Sequence, residues 1–216
     1  MPHMRDVRRF LTLASLVVAT ASCGDAVRNG SSAVFLTVMS FTAAPGGGHN
    51  AGVFTSTLLS DVQVLVTSPP PCTPASPCPT VFDDSGQITL VLTPKNTLVA
   101  PTTNNQVTIT RYHVAFTRAD GLNTPGVYVP YGFDGALTTT VPATTSGATI
   151  SFELVPHIAK EEPPLVELVP VSLGPLQING VIINTIATVT LYGTDQVGNA
   201  VTVSASMSVE FGNFGD

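Results

Sequence analysis

The chain has no tryptophan, and only 6% of its residues are aromatic. Its interior must therefore be built mainly from aliphatic side chains. Charge is scarce as well, with Asp, Glu, Lys and Arg making up 10% of the residues against 44% apolar ones. That balance excludes a self-repelling disordered polymer and leaves ample material for a core. Bases are the scarcest charge. Arg5, Arg8 and Arg9 fall in the first 22 residues, so from Cys23 onward only Arg28, Lys95, Arg111, Arg118 and Lys160 remain. Against these 5 bases stand 13 acids, a balance of about −8, and the bases are scattered. Such a field repels phosphate backbones, so nucleic acid is not an expected partner.

Signatures of catalysis are also missing. The chain has no Gly-x-Ser-x-Gly elbow, no His-Glu-x-x-His and no glycine-rich phosphate loop. His49 sits in a glycine-rich stretch, His113 falls on a polar face with Arg111, and His157 follows Pro156 at a strand end. Glu161 and Glu162, beside Lys160, Pro163 and Pro164, read as a solvated turn. No enzymatic activity and no cofactor are expected.

What is present begins at the N-terminus. Arg5, Arg8 and Arg9 are followed by an apolar run from Phe10 to Ala21, too short to span a hydrocarbon core of about 30 Å. Thr20, Ala21 and Ser22 then lead into Cys23. This resembles the lipobox of bacterial lipoproteins, with Thr20 where that family usually carries Leu. The resemblance implies removal of residues 1–22, lipid on Cys23, and a short tether over residues 23–32. It also implies exported localisation at the cell envelope, at the outer membrane or cell surface in a Gram-negative host. Ordinary secretion is the alternative. With Cys23 assigned to lipid, Cys72 and Cys78 remain as a pair in a stiff, proline-rich loop, in a compartment where disulfides persist. Two cysteines without a nearby histidine pair make a poor metal site, and none is expected.

The remainder, residues 33–216, reads as one all-β domain. Val201, Val203, Ala205, Met207, Val209 and Phe211 alternate with polar residues, as do Ala187, Val189 and Leu191. Between them Asp195-Gln196-Val197-Gly198-Asn199 supplies a tight reversal, which predicts a hairpin. The same period of two recurs at Val62, Val64 and Val66, at Ile88, Leu90 and Leu92, and at Ile150, Phe152 and Leu154. Leu137 to Val141 adds a short strand. From Val107 to Arg118 the apolar set changes parity, from Val107 and Ile109 to Tyr112, Val114 and Phe116, which predicts a bulge near Thr110 and Arg111. Ala33 to Phe41 is apolar on both faces, as in a central strand or one covered on both sides. Lys160 to Leu168 could attempt a helical turn, limited by Pro163 and Pro164. The expected fold is an antiparallel β-sandwich of about seven to nine strands.

The final hairpin, apolar alternation around Asp195-x-x-Gly-Asn199, resembles the last two strands of bacterial immunoglobulin-like or fibronectin-type-III-like domains. The resemblance covers about 25 residues, implies an Ig-like sandwich, and implies no particular function. Candidate contacts come instead from the connection Ala119 to Ala136. Tyr128, Tyr131 and Phe133 could stack on a sugar ring or anchor an envelope protein, or else fold down and plug the sandwich. Asp120, Asn123, Asp134 and Asp195 are hard oxygen donors of the kind calcium takes, yet they form no Asp-x-Asp-x-Asp-Gly run. Asp83 and Asp84, before Ser85-Gly86, read as ordinary turn formers. The expected role is a tethered binding or structural module with a membrane partner through its lipid. A carbohydrate-binding accessory domain is the alternative, and a hydrolase a distant third.

Overall fold

A computed structural model of the chain describes residues 32–169 and 181–214. The leader, Cys23 and the tether as far as residue 31 lie outside the described residues.

Among the described residues the structure is all-β, a two-sheet β-sandwich. Its strands are β1 (Val34–Ala44), β2 (Thr57–Asp61), β3 (Val64–Val66), β4 (Cys78–Thr80), β5 (Asp84–Pro94), β6 (Val107–Thr117), β7 (Phe133–Val141), β8 (Ala148–Val155), β9 (Ile183–Asp195) and β10 (Ala200–Gly212). One sheet runs β1-β5-β8 and the other β2-β10-β9-β6-β7, with β3 and β4 as a separate two-stranded ribbon. Alternation turns one face of each strand inward. Ile88, Leu90 and Ile150 of the first sheet meet Ile109, Val114, Val189 and Val209 of the second in one buried cluster.

The predicted hairpin is β9 and β10, in continuous antiparallel register from Ala200 opposite Thr194 to Phe211 opposite Ile183. Asp195 closes its turn. One carboxylate oxygen accepts from the Val197 and Asn199 amides at 3.0 and 2.8 Å, and the other from the Asn199 side chain at 2.8 Å. Gly198 takes φ +92°, which a side chain would oppose. The predicted bulge in β6 is also present, its register slipping between Ile109 and Arg111 against both neighbours.

Three expectations need correction. β1 is an edge strand, pairing within its sheet only with β5. Its outer face has no covering layer, so Phe35 and Met39 are exposed while Val34 and Leu36 are buried. The strand expected through Val62, Val64 and Val66 is broken after Asp61. Val62 is buried at the break, and the chain then turns into the β3–β4 ribbon. That ribbon carries the Cys72–Cys78 disulfide, with a Cα–Cα distance of 5.3 Å. β2 also runs parallel to β10, where an antiparallel sheet was expected.

The outer faces are laced by cross-strand hydroxyl pairs. Thr89 meets Thr149 at 3.0 Å on one sheet, while Thr188–Ser206 at 2.9 Å and Thr190–Ser204 at 3.0 Å lie on the other. At the core's aromatic patch Tyr112 lies 5.1 Å from Phe152 and edge-on to Phe133 at 6.1 Å. Gly135, opposite Tyr112 on β7, leaves room for that ring, since a Cβ there would fall 2.1 Å from it.

The registers define two ends. Ser32 joins at the end where β5 finishes, β6 begins and β9 turns into β10, since Val34 opposes Pro94 and Val107 opposes Asp195. The opposite end gathers loop 118–132, the short helix α1 (His157–Lys160) and the 3-10 turn Leu165–Leu168. β6, with 11 residues, separates the two by roughly 35 Å at about 3.3 Å per residue.

Candidate functional site

The loop leaving β6 spans residues 118–132, because Phe133 already belongs to β7. Its first turn is tied by its own side chains. The Arg118 amide donates to the Asn123 Oδ1 at 2.6 Å, and the Leu122 amide donates to the Asp120 Oδ1 at 3.1 Å. The Arg118 guanidinium forks onto Asp120, with Nε 3.1 Å and Nη2 2.5 Å from its carboxylate oxygens. That hydrogen-bonded fork holds the Asp120 carboxyl below the usual carboxylate range. A second turn follows, with the Tyr128 amide donating to the Thr124 carbonyl at 3.0 Å and the Gly126 amide to the Val129 carbonyl at 2.9 Å. Gly126 has φ +73°, and the Tyr131 ring lies across it where a Cβ would sit 2.2 Å from the hydroxyl.

Val129 and Pro130 turn inward and close the sandwich end. The tyrosines do not share that role. Tyr128 and Tyr131 remain 40% and 55% exposed. Phe133 does turn inward, half-buried against Tyr112. Arg118, Val127 and Tyr128 form one wall of a cleft of about 360 Å³, facing Pro164, Glu167 and Leu168, with Val181 and Ile183 completing it. Its lining is an apolar floor with a cation, a carboxylate and a phenol at the rim, a chemistry that suits an amphipathic ligand surface.

The four hard oxygen donors are not gathered. Asp195 is at the far end of β6 from Asp120, Asp134 lies on β7 with one oxygen 3.3 Å from the His113 Nδ1, and Asn123 and Asp120 are engaged in the turn. No group of three or more metal-type side chains occurs among the described residues.

Sequence reasoning missed a buried polar cluster at this same end. Asp84 opens β5 on the inward face and, with Lys160 at the end of α1, is almost wholly removed from water. The Lys160 Nζ lies 2.9 Å from the Asp84 Oδ2, to which the Ser60 hydroxyl donates at 2.6 Å; the Gly46 amide donates to Oδ1 at 2.9 Å. Burial pushes the Asp84 carboxyl upward, while Lys160, Ser60 and Gly46 pull against it. Next door, Asp83 accepts from the His157 amide at 2.6 Å and pairs with its ring Nδ1 at 2.7 Å. Both aspartates therefore hold α1 in place and are more than turn formers. Parity along β5 points to Asp84, in phase with Ile88, Leu90 and Leu92. Lys160 lies in no periodic frame, and nothing local marks it.

No protein-family model, curated protein or solved structure matches the chain. Its fold and its cleft are accordingly read from their own geometry. Among the described residues, no helix is long and apolar enough to cross a membrane.

Proposed function

We propose that the chain is a non-enzymatic binding or structural module, tethered to the bacterial cell envelope through Cys23, with loop 118–132 as its contact surface. The observation that carries this reading is the exposure of Tyr128 and Tyr131 on one loop, with Tyr128 lining a cleft of mixed polarity, at the end of the sandwich opposite Ser32. A tether ending at Ser32 leaves that cleft farthest from an anchor. Rigid aromatic faces on a loop tied by Arg118, Asp120 and Asn123 lose little conformational freedom on binding. The immunoglobulin-like reading of the fold is supported by the crossovers between sheets, β5 to β6 and β8 to β9, which are of Greek-key type.

Carbohydrate is the second reading, favoured by the two exposed phenol rings on loop 118–132. Two measurements on the full chain separate these readings. Probing a glycan array gives a Tyr131-dependent signal, abolished by Tyr131→Ala, if sugar is the ligand. A photo-crosslinker at position 131 in intact cells gives a discrete protein adduct if the partner is a protein, whereas one at exposed Thr140 on β7 gives none. Failure of both would remove loop 118–132 as the contact surface.

A further inference from the structure

The end of the sandwich at which Ser32 joins differs chemically from the rest of the molecule. Three connections meet there: residues 95–106 between β5 and β6, residues 142–147 between β7 and β8, and residues 196–199 in the final hairpin. They are neighbours, since Val107 opposes Asp195 and one hollow is lined by Ser32, Lys95 and Ala200 together. Two of them, 95–106 and 196–199, carry the most exposed aliphatic side chains of the described residues, Leu98 at 92% and Val197 at 74%, with Val99 at 59%. Such exposure at a loop tip has no stabilising effect on the fold, because the side chain touches almost nothing.

Charge is distributed with the opposite bias. Of the acids among the described residues, only Asp195 lies at this end, and its carboxylate is occupied by the hairpin turn. Asp61, Asp83, Asp84, Asp120, Asp134, Glu153, Glu161, Glu162, Glu167 and Glu210 all lie in the other half. Among the described residues the one base in these connections is Lys95. Among the described residues this end thus keeps almost no acid and carries aliphatic tips, and in the preceding segment Asp25 is offset by Arg28.

We infer that this end is a lipid-contacting surface, in which Leu98, Val99 and Val197 dip into the interfacial layer of the bilayer. The inference rests on the proposed lipid at Cys23, which would hold this end within nine residues of the headgroups. Apolar tips gain by leaving water, and the scarcity of acids reduces repulsion from anionic headgroups. Contact through two loops, beside the tether, fixes the tilt of the sandwich and holds the Tyr128–Tyr131 loop pointing outward.

The absence of tryptophan makes the test direct. Leu98→Trp and, at the opposite end, Leu122→Trp each introduce a sole tryptophan into the full chain at an exposed position. Each variant is reconstituted into phosphatidylethanolamine–phosphatidylglycerol vesicles with brominated acyl chains, and Cys23 is examined by mass spectrometry. The expected result is acylated protein that floats with the vesicles, with the indole emission of Leu98→Trp quenched about twofold or more and that of Leu122→Trp essentially unchanged. Acylated, floating protein with equal quenching in both variants would overturn the lipid-contact inference and leave the anchor standing. Quenching in Leu98→Trp alone, in a chain without lipid on Cys23, would support the contact surface and remove the anchor. Absence of both lipid and quenching would overturn both.

Discussion

Lys160 is the side chain whose surroundings depart furthest from its usual habit. A lysine normally keeps its ammonium in water, yet here it is buried against Asp84 at 2.9 Å with Ser60 on the same carboxylate oxygen. Removing one partner strands the other charge, so Lys160→Met should cost about 3–5 kcal/mol. Replacing both, with Asp84→Leu added, should cost less than the sum, as urea-unfolding midpoints for the cycle would show. Costs that simply add would mean the two groups do not act as a pair. The neighbouring Asp83–His157 contact lies in water and behaves differently. Its hydrogen bond to Asp83 holds His157 above its ordinary 6.5. The Asp83 carboxyl, which burial would raise, is held below its ordinary 3.8 by the His157 amide and ring. The histidine's contribution is complete below 6.5 and fades as pH rises through its raised value; the aspartate's is complete above 3.8 and fades as pH falls through its lowered one. Both are therefore in full effect only between those limits. An NMR titration of His157 should shift downward in Asp83→Asn, and an unchanged curve would contradict the pairing.

At the scale of elements, the strands followed from alternation wherever one face met the core and the other met water. β5, β8, β9 and β10 were readable for that reason, and the parity switch in β6 announced its bulge. β1 was misread because two apolar faces mean burial on both sides only if a layer exists to cover each, and sequence does not show layers. The break after Asp61 escaped because Val62, although buried, is not a paired strand residue. In loop 118–132 the tyrosines stood out, but the sequence left open whether they faced water or plugged the sandwich. It did not mark Val129, which closes that end, apart from Val127 two residues earlier, which stays exposed. The register itself is testable on β10. Val209 is fully buried and Ser208 faces water, so Val209→Asp should abolish cooperative unfolding, whereas Ser208→Asp should change stability by no more than about 0.5 kcal/mol. Thermal melts followed by circular dichroism distinguish them. Comparable damage from both would mean the strand is turned over.

For the whole molecule, the two ends carry different chemistry. One holds Ser32, the aliphatic tips and almost no acid, while the other holds the buried Asp84–Lys160 pair, α1, the cleft and Tyr128 with Tyr131. That polarity was not legible from the chain alone, because it depends on which loops the strand registers bring to the same end. The proposed tether rests on the basic start and on Cys23 behind three small residues, and it would turn a polarity of the fold into an orientation at a surface. Mass spectrometry of the protein extracted from the membrane fraction tests this most directly. A mature chain beginning at Cys23 and carrying acyl groups is the predicted product. A water-soluble chain with an unmodified Cys23, or one beginning elsewhere, would contradict the account.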